Sequence, residues 1–291
     1  MRIQKCAVAV ILAIQGWAQA PIDHRSTGPP VIPDSVSLEA NIPYDQYKET
    51  VLDILQPKES SKEKRPGVII IHGGGWVNGT KEQRVEYAAL KYVAHGFVVA
   101  NVEYRLAKAA PAPAAVTDVL KAAQWFHKNA GKYRVDTKRI VVTGDSAGGH
   151  LALMVAMTPR SAKLGRPAKV AAVVNFYGIT DVADQLEGPH MQKYAVTWVP
   201  EQEGRRELAK RVSPMTYVRK DLPPILTLHG DVDKTVPYEQ GADLTRELTK
   251  VGADARLITV SGAGHGFPQA TLDDQFEHIF AFLKEKGILY H

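Results

Sequence analysis

Between residues 68 and 260 the chain alternates short, predominantly apolar runs with longer stretches of helical periodicity. The runs are Val68-Ile69-Ile70-Ile71, then residues 97–102, 140–143, 170–176, 225–228 and 256–260. Successive side chains of a strand point to opposite sides, so a run apolar at every position suits a strand covered on both faces. Residues 114–128 carry an apolar stripe at Val116, Leu120, Ala123 and Phe126, and residues 238–251 carry one at Ala242, Leu244, Leu248 and Val251. After the last run, residues 272–283 repeat the pattern with Phe276, Ile279, Phe280 and Leu283. Each reads as an amphipathic helix. Strands alternating with helices imply right-handed βαβ units, hence a mostly parallel sheet with helices on both faces. Residues 36–40 and 50–55 read as an antiparallel pair ahead of these units. The expectation is an α/β architecture of about eight strands, with residues 36–291 as one domain.

The composition supports a large core. Of 291 residues, 45% are hydrophobic and 23% charged, which excludes an intrinsically disordered chain. The net charge is +5, and no basic run lacks interleaved acidic or apolar residues, so no nucleic-acid partner is expected. At the N-terminus Arg2 and Lys5 precede an apolar stretch, residues 7–14, and then Ala18-Gln19-Ala20. This is the pattern of a cleavable signal peptide over residues 1–20, cut after Ala18 or Ala20, and it points to export to a bacterial periplasm or medium. Eight apolar residues are too few for a bilayer, which needs about 20, so no stable membrane anchor is expected. Cys6 is the only cysteine and would leave with the leader, so the mature chain would have no disulfide and no thiol nucleophile. Residues 21–35, rich in Pro and polar residues, read as a flexible lead-in.

The run at 140–143 feeds directly into Gly144-Asp145-Ser146-Ala147-Gly148, and an apolar helix over 149–157 follows. In this strand–turn–helix setting the turn is so sharp that Ser146 must adopt strained backbone angles, with its hydroxyl exposed above the sheet. The helix N-terminus and the Ala147 N–H then face whatever reacts with the hydroxyl. A serine is a poor nucleophile without a base and an acid that orients the base. Those partners are expected later in the chain, acid before histidine. The run at 225–228 opens into His229-Gly230-Asp231-Val232-Asp233, and the run at 256–260 into Ser261-Gly262-Ala263-Gly264-His265. His265 is read as the base and Asp233 as the acid, being deeper in its loop than Asp231, which is expected to brace the loop. After residues 68–71 comes His72-Gly73-Gly74-Gly75-Trp76, whose glycines leave backbone N–H groups open to an oxyanion.

Together, HGGGW at 72–76, Tyr104-Arg105-Leu106, GDSAGGHLA at 144–152, HGDVDKTVP at 229–237 and GAGHGF at 262–267 resemble the α/β-hydrolase carboxylesterases. More narrowly they resemble the hormone-sensitive-lipase-like group and the related acetylxylan and feruloyl esterases. The resemblance spans roughly residues 36–287 and implies an α/β-hydrolase with a small cap or none. It implies Ser146, Asp233 and His265 as a catalytic triad, with an oxyanion hole from Gly74, Gly75 and Ala147. It also implies hydrolysis of short-acyl or carbohydrate-linked esters through an acyl-enzyme, with small-molecule or oligosaccharide substrates. GDSAGG leans toward the lipase-like branch, whereas HGGGW, GGHLA and the short N-terminal region lean toward the xylan-ester branch. No metal or organic cofactor is expected.

Residues 178–221, long for a connection, read as a lid or binding insertion. Trp76, Tyr177, Tyr194 and Trp198 are candidate aromatic contacts to the substrate, against the alternative that they pack in the core. The rival functions are a lipase-like esterase of medium-chain esters, an arylformamidase, and a non-catalytic ligand-binding protein built on the same fold.

Overall fold

The computed structural model describes residues 30–290. The signal peptide expected at 1–20, Cys6 within it and residues 21–29 of the lead-in lie outside the described residues. The strands are β1 (Val36–Pro43), β2 (Val51–Pro57), β3 (Arg65–Ile71), β4 (Val98–Val102), β5 (Val135–Asp145), β6 (Ala172–Phe176), β7 (Ile225–Gly230) and β8 (Ala255–Val260). They form one eight-stranded sheet in the order β1-β2-β4-β3-β5-β6-β7-β8. Only the pairings of β2, with β1 and with β4, are antiparallel; from β4 to β8 every neighbour is parallel. The early antiparallel pair and the mostly parallel sheet are as the sequence pattern implies.

The continuous apolar runs have a direct structural cause. In β3, Ile69 and Ile71 belong to one apolar cluster and Val68 and Ile70 to the other, on the opposite side of the sheet. All four are essentially inaccessible to solvent. Among the described residues there are seven α-helices: α1 (Leu90–Ala94), α2 (Ala114–Asn129), α3 (Ala147–Met157), α4 (Lys193–Trp198), α5 (Arg205–Arg211), α6 (Tyr238–Lys250) and α7 (Gln269–Glu285). Helices α2, α3 and α6 contribute to the first cluster, with Val119, Leu151 and Leu244 among its members. Helices α1 and α7 contribute to the second, where Tyr92 packs edge-on against Phe276 and Phe280. Helix α3 is buried along all 11 residues, which is why it is apolar all round rather than amphipathic.

One boundary differs from the sequence reading. Helix α3 begins at Ala147 rather than Gly149, because Ser146 itself is the turn. Residues 178–221 hold two short helices, α4 and α5, set among 3₁₀ turns, and Val182, Leu186, Ala195, Trp198, Val199 and Val212 of this segment are buried in the first cluster.

Candidate active site

Four loops converge beyond the carboxyl ends of β3, β5, β7 and β8, the end of an open α/β sheet where ligands bind. Ser146 sits between β5 and α3 at φ 54 and ψ −121, a left-handed conformation costly for a side chain with a Cβ. Close packing forces the strain. A Cβ on Gly148 would lie 2.1 Å from the Ile71 carbonyl oxygen and one on Gly144 2.5 Å from it, so only glycines let α3 press onto the end of β3. The Ser146 N–H is tied to the Phe176 carbonyl at 2.9 Å, which fixes the turn to β6.

His265, on the loop after β8, reaches Ser146: its Nε2 is 2.9 Å from the Ser146 Oγ. Its Nδ1 is 2.8 Å from Asp233 Oδ2. A carboxylate can only accept, so Nδ1 carries the proton and Nε2 accepts from the serine hydroxyl. Asp233 is itself held. Its Oδ1 accepts from the Thr235 and Val236 N–H groups at 2.8 and 3.0 Å, and His229 Nε2 lies 3.4 Å from Oδ2. Burial alone would raise its pKa, but the hydrogen bonds from His229, His265 and the Val236 amide outweigh it and hold the carboxyl far below the usual range. Asp231 points elsewhere, accepting from the Gly262 N–H at 2.6 Å and from the Ser261 hydroxyl at 3.2 Å, and so joins the two loops.

The loop after β3 supplies open donors. Gly74 (φ 112), Gly75 (φ 60) and Trp76 (φ 59) follow one another in left-handed conformations. A Cβ on Gly74 would meet the Asn78 carbonyl oxygen at 2.1 Å, so that position admits only glycine. Among the described residues, the N–H groups of Gly74, Gly75 and Ala147 meet no protein acceptor. Asp145 underlies this loop at Gly73 and is clamped by Arg84 through Nε–Oδ1 and Nη2–Oδ2 contacts, both 2.6 Å. The carboxylate raises the Arg84 pKa further against the cost of burial.

The four aromatic candidates separate. Trp76 and Trp198 have no accessible surface and stack on each other at 4.1 Å, so they are core rings and not substrate contacts. Tyr177 is 3% exposed; its hydroxyl is 3.2 Å from that of Tyr87 and its ring lies edge-on to His265 at 4.9 Å, which places it behind that histidine. Tyr194 alone is partly exposed. Its ring covers Gly75, and its hydroxyl donates to Gln185 Oε1 at 3.0 Å with the Thr235 carbonyl 3.4 Å away. Tyr194 therefore spans the open-donor loop and the loop of Asp233.

Sequence reading passed over Arg84, His150 and His229. For Asp145 the buried carboxylate called for a cation, yet its partner lies 61 positions upstream with nothing to mark it. His229 and His150 stood inside quoted motifs, and their proximity to the acid and the serine was the only available signal. Among the described residues no group of three or more His, Cys, Asp or Glu side chains is placed to hold a metal ion. No helix among them is long and apolar enough to cross a membrane.

Residues 52–248, more than half of the chain, match the BD-FAE family. Among curated proteins, the chain is 29% identical over 235 residues to Esterase LipC of Mycobacterium tuberculosis, covering 77% of this chain and 58% of that protein. It is 26% identical to Carboxylesterase NlhH of the same species, covering 86% and 81%. The chain thus spans little more than half the length of LipC. Among solved structures, a truncated carbohydrate esterase from gut microbiota superposes with a TM-score of 0.76 at 30% identity, covering 87% of this chain and 97% of that one. A thermophilic esterase from the planctomycete Thermogutta terrifontis gives a TM-score of 0.72 at 26% identity, covering 88% and 94%.

Proposed function

This chain belongs to the BD-FAE family, and from that premise we propose that it is a serine carboxylesterase with Ser146 as nucleophile, His265 as base and Asp233 as the orienting acid. The observation that carries the reading is the unbroken relay from Asp233 Oδ2 to His265 Nδ1 at 2.8 Å and from His265 Nε2 to Ser146 Oγ at 2.9 Å. His265 takes the Ser146 proton as the oxygen attacks the ester carbonyl, and Asp233 stabilises the imidazolium that forms. Gly74, Gly75 and Ala147 donate to the oxyanion; one such donor is typically worth about 10²–10³ in rate. His265 then protonates the leaving alcohol. Water, deprotonated by the same histidine, attacks the acyl-enzyme and frees the acid and Ser146.

The substrates proposed are short-acyl or carbohydrate-linked esters of the acetylxylan or feruloyl type. Tyr194, closing over Gly75, supports a short acyl group, and the likeness to a carbohydrate esterase supports a sugar alcohol. A rate panel of p-nitrophenyl acetate, butyrate and octanoate, acetylated xylan and methyl ferulate, run beside Ser146→Ala, tests the reading. Activity favouring acetate and xylan and lost in the variant is expected. Preference for octanoate would place the protein with lipase-like esterases, and silence on every ester would remove the enzymatic reading. Export is proposed with it: N-terminal sequencing of protein recovered from the medium or periplasm should begin at residue 19 or 21.

A further inference from the structure

The residue after the open-donor glycines is held in a way no substrate contact requires. Trp76 is a bulky aromatic at φ 59, a conformation that persists only where the surroundings over-determine it. Its indole N–H donates to His150 Nδ1 at 3.2 Å, across to α3 and four residues beyond the nucleophile. His150 in turn donates from Nε2 to the Val212 carbonyl at 2.6 Å, within the 178–221 segment. Because the indole can only donate, His150 is fixed as the neutral, Nε2-protonated tautomer. One face of Trp76 is covered by Trp198, parallel within 13°, and His150 stands edge-on to both indoles. The backbone adds to the tie: the Ala107 N–H donates to the Trp76 carbonyl and the Ala112 N–H to the Trp198 carbonyl, each at 2.8 Å.

We infer that residues 178–221 form no moving lid but the outer jaw of a fixed clamp, in which Trp198 and Val212, through His150, hold Trp76 and thereby aim the Gly74 and Gly75 N–H groups at the oxyanion. Trp76, His150 and Trp198 are positioning residues; none touches substrate. Among the described residues the Trp198 indole N–H has no hydrogen-bond partner although buried. A buried orphan donor is unfavourable, so the ring is present for its stacked face rather than its polar atom. Phenylalanine at 198 is therefore expected to serve nearly as well, and alanine is not.

The inference rests on the esterase reading, and the test keeps the two apart. Wild type, Trp76→Phe, Trp198→Phe, Trp198→Ala and Ser146→Ala are compared on p-nitrophenyl acetate and its thionoester, with melting curves for each. Sulfur accepts hydrogen bonds poorly, so the oxo-to-thiono rate ratio reports how well the donors are aimed. Trp76→Phe keeps an aromatic ring, smaller than the indole, and loses the N–H. It should lower kcat on the oxygen ester about tenfold, a fraction of the full loss of one donor, with KM within twofold and the oxo-to-thiono ratio falling in parallel. Trp198→Ala should do the same, and Trp198→Phe should restore wild-type values. If Trp76→Phe melts near wild type but both esters slow equally, or neither slows, the clamp is ordinary packing and the inference fails. If Trp198→Ala does not fold, the Trp76→Phe ratio still decides. Should wild type itself hydrolyse neither ester, the esterase reading has failed instead.

Discussion

His150 makes the stability of this protein sensitive to mild acid. The ring is inaccessible to solvent, and burial pulls its pKa from 6.5 down to about 4 although the bond to the Val212 carbonyl works the other way. Protonation would place a second N–H on Nδ1, directly opposite the Trp76 N–H, and a charge in an apolar cluster. Between pH 6.5 and 4 the unfolded chain therefore binds a proton that the folded chain refuses. Unfolding becomes easier as the pH falls through that window, and the contribution is fully present above it. A shift of this size is worth about 3 kcal/mol, at 1.36 kcal/mol for each pH unit. The assay is urea denaturation at intervals from pH 7.5 to 4, for wild type and for His150→Gln. At neutral pH the variant should be weaker by about 1–3 kcal/mol, from the indole donor or the Val212 carbonyl left unpaired. On acidification wild type should lose about 3 kcal/mol more than the variant, since every other titrating group is common to both. Parallel pH curves would refute the assignment of His150 as a buried neutral link.

Three further outcomes follow from contacts at the site. Asp233→Asn should lower kcat by about 10⁴, because the imidazole loses the acceptor that fixes its tautomer, while Asp231→Asn, whose carboxylate accepts from Ser261 and Gly262 rather than from His265, should stay within about tenfold; steady-state kinetics on p-nitrophenyl acetate separates them. Tyr194→Ala should raise the octanoate-to-acetate rate ratio about tenfold by removing the ring over Gly75, and an unchanged ratio would show that another surface limits the acyl chain. Gly148→Ala drives a methyl to within 2.1 Å of the Ile71 carbonyl oxygen, where neither backbone can yield, and should cost on the order of 3 kcal/mol in urea unfolding.

The parts of this molecule legible in the sequence are those where one residue type satisfies one geometry. Val68 to Ile71 announce a strand because both faces of β3 are covered, and a strand exposed on one side could not have carried that run. Gly144 and Gly148 flank a serine because β3, β5 and α3 meet too closely for any Cβ. Where several roles suit one side chain, the sequence is mute. An aromatic residue beside a site motif serves as well in the core as in a pocket, so Trp76 and Trp198 could not be told from Tyr194 before their burial was seen. Long-range polar pairs leave no periodic trace: Arg84 with Asp145 and His150 with Val212 join segments 61 and 62 positions apart. The insertion illustrates the same limit. Its length suggested a lid or binding insertion, while its buried Trp198, stacked on Trp76, and Val212, whose carbonyl accepts from His150, look in sequence like any other apolar residues.

The most direct measurement is covalent capture of the nucleophile. The protein is incubated with diethyl p-nitrophenyl phosphate, which phosphorylates an activated serine as p-nitrophenolate leaves, and is then weighed intact and mapped by peptide. The account predicts one diethylphosphoryl group per chain, carried on Ser146, with none on Ser146→Ala and a much slower reaction for His265→Ala. A folded wild-type protein that stays unmodified, or that carries the group on a different residue, would contradict it.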